Sequence, residues 1–142
     1  KANIIKKDEK EKSLRKILNF GHTFGHAFEA TKRFSNKMNH GEAVLVGMSC
    51  ASEFAFINKF LKKKDFDLIK NHYLKLNLPN KINKYFKKKD LKNIIKFMKF
   101  DKKNIDSKIN LILISKIGKT LKTKTFDELN IKNYLNSKFY KS

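Results

Sequence analysis

Cysteine is nearly absent. Cys50 stands alone in 142 residues, so neither a disulfide framework nor an all-cysteine metal site is available. Tryptophan is missing, and proline occurs once, at Pro79. Arginine is almost as scarce, with only Arg15 and Arg33. No stretch approaches the roughly 18 consecutive apolar residues that a membrane span requires, which argues against a membrane partner. No secretory signal is visible, so the cytoplasm is the expected location. The chain starts at Lys1 rather than methionine, which reads as a fragment or a processed segment.

What is present suits one folded domain. Apolar residues make up 40% of the chain and 13 phenylalanines supply core volume, so a disordered reading is excluded. Cys50 lies in an apolar run and reads as a small core residue. The formal net charge is +21, which taken alone points to nucleic acid or an anionic membrane surface. Yet the cations are overwhelmingly lysine and are scattered, as in Lys62–Lys64, Lys87–Lys89 and Lys102–Lys103. A nucleic-acid face more often clusters arginine with aromatics. Lysine, asparagine, isoleucine and phenylalanine are overused together, as an AT-rich coding genome produces. No nucleic-acid partner is therefore expected. A basic nucleic-acid-binding module is the alternative, and it leaves the histidines described below unexplained.

Periodicity predicts a mainly α domain, a helical bundle with a small β-hairpin near the C-terminus. A helix is expected from about Ser13, a plausible N-cap, to Thr31, with Leu14, Ile17, Leu18, Phe24 and Phe28 at helical spacing. A polar loop follows over Arg33–Asn39. A second helix, from about Gly41 to Phe60, is apolar on most of its circumference and reads as buried in the middle of the bundle. A third starts at Asp65 or Asp67, runs through Leu74 and ends before Pro79. Asp90 is expected to cap a helix bearing Leu91, Ile94, Ile95 and Met98. Ile109–Ile114 reads as a strand, Gly118 as a turn and Lys119–Phe126 as the returning arm. Asp127 is expected to cap a last short helix through Asn136.

The chemistry-bearing residues lie near the start. Glu11, Arg15, Asn19, His22 and His26 are spaced by four, four, three and four residues, which on one continuous helix stacks them along a single face. A solvated polar face is the commonest fate of such a stripe. An acid, a cation, an amide and two imidazoles aligned this way also suit an oxygen-rich anionic substrate. Gly21 and Gly25 flank the histidines, and each costs about 1 kcal/mol inside a helix, so close approach of another helix or a ligand is expected there. The His22-Thr23-Phe24-Gly25-His26 pair lacks the glutamate that a helical zinc protease requires directly after its first histidine, so that class is excluded. His40 opens a second motif, His40-Gly41-Glu42-Ala43, at the start of the second helix. The short loop lets the two helices run antiparallel and returns His40 toward His22. Two imidazoles from different helices suit a metal site.

The string Leu14-Arg15-Lys16-Ile17-Leu18-Asn19-Phe20-Gly21-His22-Thr23-Phe24-Gly25-His26-Ala27, followed by His40-Gly41-Glu42-Ala43-Val44 and Gly47-Met48, resembles the signature of the 3-dehydroquinate synthase family. Lys1-Ala2, the acidic run before Arg15 and Asp101-Lys102-Lys103 fit the same pattern. The match falls in the family's C-terminal helical domain; its NAD-binding N-terminal α/β domain has no counterpart in the chain. The resemblance implies that His22 and His40 are metal ligands, for Zn2+ or Co2+, with a third ligand, a glutamate, outside the chain. It implies a proton-transfer role for His26 near the substrate phosphate and a general-base role for Glu11. It further implies that Lys1, Arg15, Asn19 and one of Lys102 and Lys103 bind substrate, with Lys102 favoured. The implied activity is that of an NAD- and metal-dependent carbon–oxygen lyase. It cyclises 3-deoxy-D-arabino-heptulosonate 7-phosphate to 3-dehydroquinate in the shikimate pathway of aromatic amino acid biosynthesis. A homodimer is the implied assembly, and a related sugar-phosphate cyclase is the near alternative. Phe28 departs from the smaller aliphatic more usual in the family, as a core exchange would.

Overall fold

A left-handed backbone at Gly21, φ 79°, divides the first expected helix in two. The computed structural model describes residues 2–7, 14–33, 37–100, 108–121 and 124–140, with Ile4, Ile5, Lys7, Leu14 and Arg15 described by their backbone alone. Within them, a short helix α1 (Ala2–Lys7) is followed by a 3-10 helix over Leu14–Asn19, and α2 (His22–Lys32) starts immediately after Gly21. Ser13, the expected N-cap, lies outside the described residues. Two constraints select glycine at the break. Only glycine adopts positive φ without steric cost, and a Cβ at Gly21 would lie 2.5 Å from the backbone nitrogen of Met48.

Met48 belongs to α3 (His40–Ile57), which begins at the expected place. Its start is held by a capping box. Asn39 Oδ1 accepts the Glu42 amide at 2.9 Å, and Glu42 Oε2 accepts the Asn39 amide at 2.9 Å. The helix is buried as its apolar circumference predicts: Ala43, Val46, Gly47, Cys50, Ala51, Phe54 and Ala55 are all inside. α2 packs closely on α3 and also on α5 (Leu91–Lys99). The expected close approach is that of α3 to α2, because a Cβ at Gly47 would lie 2.3 Å from the Gly21 carbonyl oxygen and 2.7 Å from the Gly25 nitrogen.

The third helix, α4 (Lys63–Lys75), starts just ahead of Asp65, which lies in its first turn. Tyr73 docks it onto α3 by donating to the Leu45 carbonyl at 2.9 Å. Asp90 does not cap α5 with its side chain; the carboxylate accepts the Lys87 amide at 2.8 Å and closes the preceding 3-10 turn. Leu91, Ile94, Ile95 and Met98 form the buried face of α5 as expected. The hairpin forms in two ladders. β1 (Lys108–Leu111) pairs antiparallel with β4 (Lys124–Asp127), and β2 (Ile114–Lys116) pairs with β3 (Lys119–Thr120) around a turn at Gly118, φ 80°. The single expected strand over Ile109–Ile114 is interrupted where Leu113 and Ile114 are both buried, which breaks the alternation that a flat strand needs. α6 (Glu128–Ser137) follows β4 directly, and Asp127 makes no side-chain capping bond to it. The fold is thus mainly α with a small C-terminal hairpin. One core unites Phe24 and Phe28 of α2, Val46 and Phe54 of α3, Met98 of α5, Ile109 and Leu111 of β1, and Leu135 of α6. Among the described residues, no helix is long and apolar enough to cross a membrane.

This core holds weak acids that resist ionisation. Burial pushes the Cys50 thiol from its ordinary 9.0 up to about 12 and the Tyr73 hydroxyl from 10.0 up to about 12. Burial also pushes up Tyr134, whose hydroxyl donates to Glu53 Oε2 at 3.1 Å and lies 3.2 Å from the Cys50 carbonyl oxygen. A raised folded-state pKa means that the native state favours the neutral group. This stability is complete below the unfolded pKa and is lost as pH rises toward the folded one. Stability against thermal unfolding is therefore expected to fall between pH 9 and 12, by on the order of 4 kcal/mol for the thiol alone. Surface lysines lose charge in the same range, so the check is a comparison. Cys50→Ala should show a shallower alkaline decline than wild type; parallel declines would contradict the assignment.

Candidate active site

Three histidines converge where α2 and α3 begin. His22 is the first residue of α2, His26 lies one turn further on, and His40 is the first residue of α3. Their ring centroids are 5.3 Å apart for His22 and His26, 6.3 Å for His26 and His40, and 6.5 Å for His22 and His40. The left-handed turn at Gly21 aims the start of α2, and the capping box fixes the start of α3. Thr23, between the two histidines, serves the fold rather than the site. Its hydroxyl donates to the Asn110 carbonyl of β1 at 3.2 Å. That tie holds the first turn of α2 against the hairpin.

Two of the rings are oriented through Nδ1. His22 Nδ1 lies 3.3 Å from the Phe20 carbonyl oxygen, and His40 Nδ1 lies 2.9 Å from Glu29 Oε2. Both partners are acceptors, so each bond requires the proton on Nδ1, and in the neutral ring the lone pair is then on Nε2. This is the arrangement in which metal-binding histidines are usually held. Two imidazoles on one tetrahedral metal bring their centroids to roughly 5 Å. By distance His22 and His26 come nearest to that value; by Nδ1 anchoring His22 and His40 are the matched pair. The anchoring is the better guide, because it fixes which ring nitrogen of His22 and of His40 is turned away from the protein acceptor and can serve as a donor. Among the described residues, no group of three histidine, cysteine, aspartate or glutamate side chains stands ready to hold a metal ion. The donors present fit half of a metal site, with one imidazole nitrogen available from each of two helices.

The other expected site residues distribute differently. Arg15 and Asn19 lie on the 3-10 helix before Gly21 and not on α2, so among the described residues the expected stripe does not run along one continuous helix. Lys1, Glu11, Lys102 and Lys103 lie outside the described residues. Glu29 was missed by the sequence reading, although a signal existed: it follows His26 by three residues and His22 by seven, on the same face of α2. The histidines line an open surface, with His26 and His40 exposed. A separate cavity of about 300 Å3, lined by Ser49, Tyr73, Lys70 and Lys81 among others, contains none of them.

The helical domain with its small hairpin has the fold of the C-terminal domain of sugar-phosphate cyclase-like synthases. The backbone superposes on a crystal structure of 2-deoxy-scyllo-inosose synthase complexed with carbaglucose-6-phosphate, NAD+ and Co2+. The TM-score is 0.68 at 26% identity, over 89% of this chain and 35% of that one. The chain belongs to the 3-dehydroquinate synthase C-terminal family, whose model matches residues 1–104. It is 50% identical over 141 residues to the 3-dehydroquinate synthase of Pelagibacter ubique, a match covering 99% of this chain and 38% of that protein. It is 39% identical over 119 residues to the 3-dehydroquinate synthase of Thermodesulfovibrio yellowstonii, covering 84% of this chain and 32% of that protein. The chain thus spans roughly a third of the length of these relatives.

Proposed function

We propose that the chain is the metal- and substrate-binding part of a 3-dehydroquinate synthase and works joined to an N-terminal NAD-binding domain. In this reading the substrate is 3-deoxy-D-arabino-heptulosonate 7-phosphate and the products are 3-dehydroquinate and phosphate, a step toward the aromatic amino acids in the cytoplasm. The observation that carries it is the convergence of His22, His26 and His40 within 6.5 Å of one another from two helices. The openness of that surface supports a partner domain, since ligand sites form preferentially at domain interfaces. A homodimer is the assembly that goes with this reading.

When bound, a divalent metal would supply Lewis acidity toward a substrate hydroxyl, and NAD would supply the hydride chemistry. The chain's own residues do the rest. His22 and His40 present Nε2 donors, and a carboxylate from the joined domain completes the set. Arg15 and Asn19 grip the substrate's oxygens, Arg15 through the planar fork that matches carboxylate or phosphate. Lys1 and Lys102, or Lys103 in its place, hold the remaining anionic groups and so orient the ring. His26 donates a proton at the departing phosphate, and Glu11 acts as general base.

The test is phosphate release. The 142-residue chain, supplied with NAD, Zn2+ or Co2+ and the seven-carbon acid phosphate, is expected to show no turnover. The same chain fused behind the N-terminal half of a relative is expected to turn over. Turnover by the chain alone would contradict the need for a second domain. Turnover of a hexose 6-phosphate in place of the seven-carbon acid would move the assignment to a related sugar-phosphate cyclase.

A further inference from the structure

The contact between Glu29 and His40 joins the two helices that carry the histidines. Glu29 lies on α2, two turns beyond His22, and its Oε2 is 2.9 Å from Nδ1 of His40 on α3. The carboxylate is 41% exposed on its side chain and the imidazole 60%, so the pair adds little to stability. Its consequence is geometric and chemical. A carboxylate acceptor at Nδ1 selects the Nδ1–H tautomer, leaves Nε2 as the lone-pair donor and restricts rotation of an otherwise exposed ring. His22 is oriented by a different device, the Phe20 carbonyl two residues back, which no side-chain substitution removes. His40 therefore depends on a side chain where His22 depends on the backbone.

We propose that Glu29 is the positioning residue for His40, setting its tautomer and ring orientation for a divalent cation. The inference rests on the reading of His22 and His40 as metal ligands. Outer-shell partners of this kind typically contribute about 10–100-fold to metal affinity. Glu29→Ala removes the acceptor; Glu29→Gln keeps an acceptor oxygen but not the charge, and leaves the surface nearly unchanged in shape.

Two measurements on the 142-residue chain test it. Long-range proton–nitrogen correlation spectra without metal read the tautomer of each histidine. The expected result is Nδ1–H at His40 in wild type, a shift toward Nε2–H in Glu29→Ala, and no change at His22. Titration with Co2+, followed through the His22 and His40 resonances, is expected to weaken about 10–100-fold in Glu29→Ala, with much of the loss restored in Glu29→Gln. An unchanged tautomer and unchanged Co2+ affinity in both variants would overturn the role of Glu29. If millimolar Co2+ perturbs neither ring, either in the wild-type chain or in the chain fused behind the N-terminal half of a relative, the metal-binding reading falls, whereas an unchanged His40 tautomer in Glu29→Ala overturns the role of Glu29 by itself. A variant that fails to fold is recognised by loss of its helical circular dichroism, and Glu29→Gln then carries the test.

Discussion

Gly47→Ala is expected to destabilise the chain by about 3 kcal/mol, the upper end of overpacking costs, and to pull the histidines apart. The added methyl would sit 2.3 Å from the Gly21 carbonyl oxygen and 2.7 Å from the Gly25 nitrogen, and both obstacles are backbone atoms. A flexible side chain could step aside, but these helices cannot separate without displacing Gly21. That turn aims His22, and the capping box that starts α3 carries His40. The expected readout is a lowered urea midpoint, together with weaker Co2+ binding, from a residue that touches no ligand. Gly41→Ala is the control. It lies on the same helix, its Cβ meets only Asn39 Oδ1 at 3.4 Å, and alanine is intrinsically the better helix residue. Equal losses in both variants would mean that helix packing at Gly47 is not the cause.

The second large effect separates metal binding from proton transfer. In the protein fused to its N-terminal half, His22→Ala is expected to lower metal affinity by well over ~100-fold, beyond what an outer-shell partner contributes. His26→Ala is expected to keep the metal and lower turnover by about 10²–10⁴-fold, the range of a lost general acid or base. Metal content and phosphate release, measured on the same preparations, read the two effects independently. The geometry leaves two pairings to separate. His26 sits nearer to His22 than His40 does, at 5.3 Å against 6.5 Å between ring centroids. Loss of the metal in His26→Ala, with the metal kept in His40→Ala, would redraw the pair as His22 and His26, both on α2. Loss in His22→Ala and His40→Ala alone keeps the ligands on separate helices. Restoration of turnover to His26→Ala by added imidazole would further mark that position as a proton carrier.

Local pattern carried much of the architecture. The apolar circumference of α3, the buried stripe of Leu91, Ile94, Ile95 and Met98 on α5, the turn at Gly118 and the short last helix are all statements about neighbours in sequence, and a periodicity reads them directly. The approach of His40 to His22 was legible too, because a loop of fewer than ten residues leaves two helices few ways to run other than side by side. The polar stripe from Glu11 to His26 marks the limit of such inference. Its five-residue alignment assumed one uninterrupted helix, and nothing near Gly21 in sequence says that the backbone there turns left-handed.

What requires glycine at that turn is Met48, twenty-seven positions away, whose backbone nitrogen occupies the space a Cβ at Gly21 would need. Glu29 is a similar case. Its spacing from His22 and His26 was visible, but its value depends on His40 lying 2.9 Å away on another helix. The sequence by itself determined which segments become helices, which faces are buried, and the family from whose motifs the chemistry is proposed. Only the tertiary structure decided where the first helix breaks, why glycine stands at positions 21 and 47, and which side chain holds His40. Propensity and periodicity act over a few residues, whereas backbone approach and imidazole orientation are set by contacts between elements far apart in the chain.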